Sequence, residues 1–292
     1  MDLAYLRAHP GQLPTLLRHQ RIRETPVPGG SICAASRLTL DDGASLFVKT
    51  WAGDGQPPEG FFPAEAAGLR WLAEPGAVAV PEVVAALPDL LALAWVPPEA
   101  PSAAAAERFG RELAELHRAG AESFGAPWPG FIGRLPQENT PSAGPWPEWF
   151  ARYRLAPHLR TSVDRGALTA ADVALVERLI DRIGEYATDE PPARVHGDLW
   201  PGNLLWSGGR VWLIDPAAQG GHRETDLATL ALFGGAPHLD RILAAYQEVW
   251  PLAPGWRARV PLHQLHLMLV HTALFGAAWR DAVASTARAA LA

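Results

Sequence analysis

Apolar and polar positions along this chain change their period about a third of the way in. Up to residue 96 the apolar residues alternate or fall in short runs, as in β-strands. Arg21 to Val27 reads as a strand, Pro28-Gly29-Gly30-Ser31 as a turn, and Ile32 to Leu40 as a second strand. Asp41-Asp42-Gly43 then reads as a hairpin turn and Leu46 to Thr50 as a third strand. Val80 to Leu87 and Leu90 to Val96 read as two more, around Pro88-Asp89. One main helix interrupts them, beginning at Phe62 and carrying Ala66, Leu69 and Leu72. A short helix interrupted at Pro14 is predicted over 1–18. Beyond Pro97-Pro98-Glu99-Ala100-Pro101 the period lengthens to that of helices, predicted over 103–118, 147–160, 169–187, 226–233, 238–250 and 257–290. The prediction is an α+β chain of two lobes. Residues 1–97 form a small five-stranded antiparallel sheet with one main helix, and residues 98–292 form a larger, mostly helical lobe. The proline-rich stretch is the hinge.

One segment of the helical half breaks this pattern. Between 193 and 216 a polar loop, His196 to Asn203, precedes two apolar runs, Leu204 to Trp206 and Val211 to Ile214, separated by Ser207-Gly208-Gly209. This reads as a β-hairpin with Asp198 and Asn203 just before its first strand and Asp215 just after its second. Antiparallel strands place those two ends side by side. A carboxylate and a carboxamide oxygen are hard ligands suited to Mg²⁺, and a second carboxylate can deprotonate a hydroxyl. That is the composition of a phosphoryl-transfer site, and Asp198 and Asn203 have the five-residue separation of the protein-kinase catalytic loop. Asp, Asn and Gly are also common turn residues, so the hairpin by itself leaves a purely structural reading open.

Composition narrows the context. The 292 residues are 48% hydrophobic and 19% charged, an ordinary globular balance, and the net charge of −6 offers no footprint for nucleic acid. The single cysteine, Cys33, excludes an internal disulfide and a Cys-rich zinc site, which fits a reducing cytosol. Met1-Asp2-Leu3-Ala4-Tyr5 lacks a signal-peptide pattern. The apolar stretch 83–106 is broken by prolines and charges, so no membrane span is expected. The reading is a cytoplasmic monomer.

Charge composition holds one informative bias. Of the 25 basic residues only Lys49 is lysine; the others are arginine. Where arginine is so favoured, a retained lysine marks a site that a broad planar guanidinium does not suit, unless it survives by chance. Lys49 lies on the third strand after a glycine turn, and Glu65, in the first turn of the following helix, is placed to pair with it. Gly29, Gly30 and Ser31 can lie over a triphosphate through their backbone N–H groups, although hairpin turns are glycine-rich in any case. On a protein-kinase-like plan, the backbone of Ala94, Trp95 and Val96, just before the hinge, is where an adenine edge would bind; that expectation rests on the fold and not on side chains. His263, His266 and His271 share a leucine-rich helical stretch and read as core histidines rather than metal ligands.

The order glycine turn, strand lysine, helix glutamate, hinge, His-Gly-Asp…Asn, Asp resembles the protein-kinase-like superfamily of small-molecule phosphotransferases. Within it, His196-Gly197-Asp198-Leu199-Trp200-Pro201-Gly202-Asn203 is similar to the fructosamine/ketosamine kinase signature. So is Asp215-Pro216-Ala217 followed by Gly221-His222-Arg223-Glu224-Thr225-Asp226-Leu227-Ala228. Phe47-Val48-Lys49, Phe131-Ile132-Gly133 and Gln137-x-Asn139 extend the likeness over roughly 20–280. Departures are Cys33 after the glycine turn, Pro201 in place of the usual serine, and Ala218-Gln219-Gly220 in place of an aromatic pair.

The resemblance implies a bilobal protein-kinase-like fold and transfer of a phosphoryl group from ATP to the 3-hydroxyl of a ketosamine. It makes Asp198 the catalytic base, Asn203 and Asp215 the Mg²⁺ ligands, Lys49 with Glu65 the phosphate-positioning pair, and Trp200 a wall for the sugar. Asp226 would brace the catalytic loop, and Arg223 and Glu224 would form structural salt bridges. The 3-phosphate product would release its amine, a deglycation. An aminoglycoside- or choline-type phosphotransferase and an inactive nucleotide-binding protein are the alternatives.

Overall fold

The computed structural model describes residues 2–18, 23–28 and 32–292. Strands β1 (Arg23–Pro26), β2 (Cys33–Thr39), β3 (Ser45–Trp51), β4 (Val83–Ala86) and β5 (Leu90–Ala94) form one antiparallel sheet in the order β1-β2-β3-β5-β4. Side chains alternate between its two faces. Leu46 and Val48 of β3 face α1 (Leu3–Ala8) and α2 (Leu13–Arg18), packing with Leu6, Leu13 and Leu38. Phe47 and Trp51 face α3 (Phe61–Ala73), packing with Phe62, Ala66 and Leu69. Lys49 shares that second face by parity, so the period-two pattern itself aims the only lysine at α3.

The N-terminal helix differs from expectation in where it breaks. The interruption is a single 3-10 turn, Pro10–Gln12, and Pro14 lies in the first turn of α2, where its missing N–H is no loss. α3 starts one residue earlier than the predicted Phe62, after Gly60 at φ 79°.

Past the proline-rich stretch, α4 (Ala103–Arg118) is capped by the Ser102 hydroxyl, which accepts from the Ala105 amide at 3.2 Å. Two short strands follow, β6 (Gly130–Ile132) and β7 (Leu135–Gln137), forming a hairpin. Then come α5 (Trp146–Phe150), α6 (Ala156–Asp164), α7 (Ala170–Asp181), α8 (Ile183–Tyr186), β8 (Ala193–Val195), β9 (Leu204–Ser207), β10 (Arg210–Leu213), β11 (Gln219–Gly221), α9 (Arg223–Thr229), α10 (Leu239–Val249), α11 (Trp256–Phe275) and α12 (Arg280–Ala290). Gly110 lets α4 and α10 meet backbone to backbone, since a Cβ there would run into the Ile242 carbonyl.

Several helix boundaries move. The predicted 147–160 is one bent run, α5 to α6, through a π turn at Ala151–Leu155. The predicted 169–187 breaks at Arg182, and 257–290 splits at Gly276, whose φ of 80° suits glycine. The predicted 226–233 becomes Arg223–Thr229, because the His222 side chain accepts from the Glu224 amide and starts the helix early. The β8–β11 pairing was not predicted; three-residue strands carry no readable period. Among the described residues no helix is long and apolar enough to cross a membrane.

Candidate active site

The predicted hairpin is β9–β10, with Leu204 opposite Leu213 and Ser207 opposite Arg210. Gly208 (φ 58°) and Gly209 (φ 67°) take the two positive-φ positions its two-residue turn requires. The ladder continues one step beyond the strands, where the Ile214 amide donates to the Asn203 carbonyl at 3.2 Å. Asn203 and Asp215 therefore flank the same end. The Asn203 amide nitrogen donates to the Asp198 carbonyl (2.7 Å) and carboxylate (3.2 Å) and to the Asp215 carbonyl (3.4 Å). Asp215 has φ 54°, a left-handed backbone that aspartate tolerates better than most residues.

The loop before the hairpin is held from below by Asp226, which is wholly buried on α9. Its carboxylate accepts from the backbone amides of His196 (2.7 Å) and Gly197 (3.0 Å) and from His117 Nε2 (3.2 Å). The Tyr246 hydroxyl lies 2.9 Å from the other nitrogen of His117. Burial alone would push the Asp226 carboxyl up, but His117 and these amides hold it below its ordinary value. His196, kept neutral by burial, donates from Nε2 to the Ile214 carbonyl at 2.8 Å and accepts from the Asp198 amide at 3.2 Å. Gly197 (φ 82°) leaves no room for a Cβ against the Ala217 carbonyl. Loop, hairpin and α9 are thus one hydrogen-bonded unit with Asp198 at its tip.

Lys49 approaches from the sheet. Its ammonium lies 2.9 Å from both Glu65 carboxylate oxygens and 2.8 Å from Asp215 Oδ1. Burial opposes the charge, yet the two carboxylates raise the Lys49 pKa and keep it protonated. Burial also pushes Asp198 up, to about 8, with the nearby Asp215 charge adding to the shift and Asn203 opposing it. Lys49, Glu65, Asp198, Asn203 and Asp215 all line one cavity of about 580 Å³.

The remaining predicted positions fall unequally. Gly29, Gly30 and Ser31 lie outside the described residues. Ala94, Trp95 and Val96 do not line the cavity, and two of their amides are already used: Ala94 donates to the Glu82 carbonyl (2.9 Å) and Trp95 to the Ser45 carbonyl (3.0 Å). An adenine edge would have to use other backbone groups of this segment. Trp200 lines the cavity and covers Gly202, where any Cβ would run into the indole ring. Leu199 is buried in the core, so it anchors the loop.

Trp128 and Phe131 wall the cavity, whereas Trp146 and Trp149 are buried staples. Arg223 pairs with Glu190 (2.5 and 2.9 Å) and Glu224 with Arg259 (2.6 and 2.8 Å), as structural bridges. His222, Glu224 and His263 bring ligand atoms within 4.8 Å of one another, but the Arg259 guanidinium already occupies both Glu224 oxygens.

The cavity also holds residues that sequence reasoning missed. His263 and His266 are core histidines, but His271 is half-buried on the cavity wall, its Nδ1 donating to the Leu267 carbonyl at 2.7 Å. Leu267, Val270, His271, Leu274 and Phe275 of α11 all line the cavity. Their three-to-four spacing was visible, but a cavity face and a core face share that period. Asn139 also lines it, its Oδ1 accepting from the fully buried Arg154 at 2.6 Å.

Sheet, helix glutamate and Asp/Asn/Asp hairpin together define a protein-kinase-like phosphotransferase. A solved aminoglycoside phosphotransferase shares the fold with a TM-score of 0.63, covering 96% of this chain and 99% of that one at 16% identity, a likeness of fold alone. The chain belongs to the fructosamine kinase family, whose profile matches residues 13–292, and it is a kinase. A probable ketoamine kinase of Thermus thermophilus is 35% identical over 266 residues, 89% of this chain and 93% of that protein. The crystal structure of a "putative fructosamine-3-kinase" from Thermobifida fusca superposes with a TM-score of 0.88 at 52% identity, covering 92% of this chain and 94% of that one.

Proposed function

We propose that the protein transfers the γ-phosphoryl group of ATP to the 3-hydroxyl of the sugar part of a ketosamine. The observation that carries this reading is the convergence of two groups of side chains on one cavity. The Lys49–Glu65–Asp215 network and the Asp198–Asn203 pair line it together with Trp200, joined where Asn203 meets Asp215. Family membership and the names borne by the Thermus and Thermobifida relatives support the acceptor class.

Residues 1–97 would serve as the nucleotide lobe and 98–292 as the catalytic and substrate lobe. The Glu99 amide, donating to the Trp206 carbonyl at 2.7 Å, ties the hinge to the catalytic hairpin. Asp215 and Asn203 would hold Mg²⁺. Their oxygens are the hard donors that ion takes, and the Asp215 side chain remains 42% exposed toward the cavity. When bound, the ion neutralises phosphate charge.

The chain's own groups do the rest. Lys49, charged and held between two carboxylates, orients the phosphates. An Asp198 carboxylate oxygen accepts the hydroxyl proton as the sugar oxygen bonds to the γ-phosphorus and the bond to the β-phosphate oxygen breaks. The Asn203 amide fixes the orientation of the Asp198 carboxylate, and Trp200 presents a flat wall to the sugar. Enolisation of the product across carbons 1 and 2 expels inorganic phosphate from carbon 3, and water hydrolyses the resulting carbon 1–nitrogen imine, freeing the amine and a 3-deoxy dicarbonyl sugar and completing a deglycation.

An ADP-release assay offering fructosamine, ribulosamine and erythrulosamine derivatives beside aminoglycosides and choline tests the acceptor. Turnover of one or more ketosamines is expected; turnover confined to aminoglycosides or choline sinks the reading. Lys49→Arg is expected to lower kcat/KM for ATP by about tenfold or more. A planar guanidinium cannot present one compact charge to Glu65 and Asp215 in that buried slot. Wild-type kinetics in this variant would remove the positioning role.

A further inference from the structure

Phe233 occupies a backbone conformation that its side chain penalises. Its φ of 53° and ψ of 41° lie in the left-handed region, and the next residues, Gly234 (φ 96°) and Gly235 (φ 81°), also have positive φ. A residue with a Cβ loses about 1–2 kcal/mol there, a penalty that glycine at 233 would not suffer. Burial does not explain the choice, because Phe233 is 45% exposed.

The position of the ring does explain it. Phe233 stands edge-on to Trp200 (centroids 5.5 Å apart) and close to His271 (5.2 Å) and Trp279 (5.7 Å). Trp200 and His271 line the cavity, as does Phe275, which lies 5.7 Å from His271 and is 44% exposed. Among the described residues four large hydrophobic side chains are exposed, and two of them, Phe233 and Phe275, stand at this one lip. Scattered exposed apolar residues need no explanation, but strained and clustered ones beside a reaction cavity do.

We infer that Phe233, with Trp279 and Phe275, forms a subsite for the amine-bearing arm of the acceptor, and that the preferred arm is an alkylammonium with a long aliphatic stem, as on a glycated lysine side chain. The inference rests on the ketosamine reading above. In a ketosamine only carbons 3, 2 and 1 separate the reacting oxygen from the amine nitrogen. The amine substituent therefore lies close to Trp200, two residues from Asp198, and the ring packed edge-on against Trp200 is Phe233. The protonated amine is attracted to aromatic faces, and an aliphatic stem gains from covering exposed ring surface.

Phe233→Gly tests this without threatening the fold, since glycine adopts the observed φ freely. Its thermal midpoint is expected to stay level or rise. For an Nα-blocked lysine carrying the ketose on Nε, kcat/KM is expected to fall about tenfold, through KM, with kcat nearly unchanged. For the same ketose on methylamine the change is expected to be less than about twofold. Equal losses for both amines, or no loss for the lysine compound, overturn the subsite. Calorimetric binding of the ketosyl-lysine without nucleotide reads the subsite apart from turnover. Weaker binding to Phe233→Gly supports it, and equal affinity overturns it whatever the kinase assay gives. A wild-type protein that phosphorylates neither compound, yet binds the lysine one more tightly than Phe233→Gly does, overturns the acceptor reading and leaves the subsite standing.

Discussion

Asp198→Asn lowers kcat by about 10³-fold while leaving nucleotide affinity nearly unchanged, because general-base assistance contributes roughly 10²–10⁴. The substitution is close to isosteric, and its carbonyl oxygen can still accept from Asn203, so the loop keeps its shape while losing the proton acceptor. The pH profile supplies an independent reading. Burial and the Asp215 charge push Asp198 up to about 8. The base works only when deprotonated, so kcat/KM rises with pH, about tenfold per unit at low pH, and levels off above that value. Raising Mg²⁺ moves this limb to lower pH, because positive charge beside Asp215 offsets its effect on Asp198. The residual activity of Asp198→Asn lacks the limb. Single-turnover kinetics across pH measure both effects, and full turnover in the variant sinks the assignment.

Asp226→Asn is the largest structural effect. The carboxylate accepts from three buried donors, and an amide turns its NH₂ group toward at least one of them. One buried donor is left unsatisfied and the buried charge opposite His117 is lost, together about 3 kcal/mol. For a chain of this size that corresponds to a fall in Tm of roughly 6–12 °C, readable by scanning calorimetry. A loss of kcat accompanies it, since Gly197 and Asp198 no longer have a fixed floor. The folded-state pKa of Asp226 is depressed, so its stabilisation is present above the unfolded value of about 4 and is lost as pH falls through the folded value. The stability gap between wild type and variant therefore narrows in acid. An unchanged Tm at neutral pH would contradict the bracing role.

Much of the site is legible in the amino-acid sequence, for identifiable reasons. Lys49, Glu65, Asp198, Asn203 and Asp215 sit at the ends or on known faces of regular elements. Parity along β3 and pairing in β9–β10 then dictate their directions. The glycine turn at 208–209 and the helix after Gly60 are equally local. By contrast, β6, β7, β8 and β11 have three residues each, too few for a period. The Glu82 and Ser45 carbonyls that take the amides of Ala94 and Trp95 lie elsewhere in the chain, so no local pattern shows those bonds.

The sequence by itself determined the two-lobed α+β plan, the five strands of the first lobe, the aim of Lys49 toward α3, and the meeting of Asn203 with Asp215. Each of these depends on neighbours within a few residues or on a strand paired through a short turn. Tertiary structure alone decided that His117 and Tyr246 would stand behind Asp226 beneath the His196–Asn203 loop. It also brought His271 to the cavity wall and placed Trp200, Phe233, Phe275 and Trp279 around one lip. These contacts join positions separated by tens of residues to more than a hundred, and their partners are selected by the packing of α4, α9, α10 and α11 rather than by any local pattern. A helix period says that a face is covered, and only the assembled fold says whether core or cavity covers it.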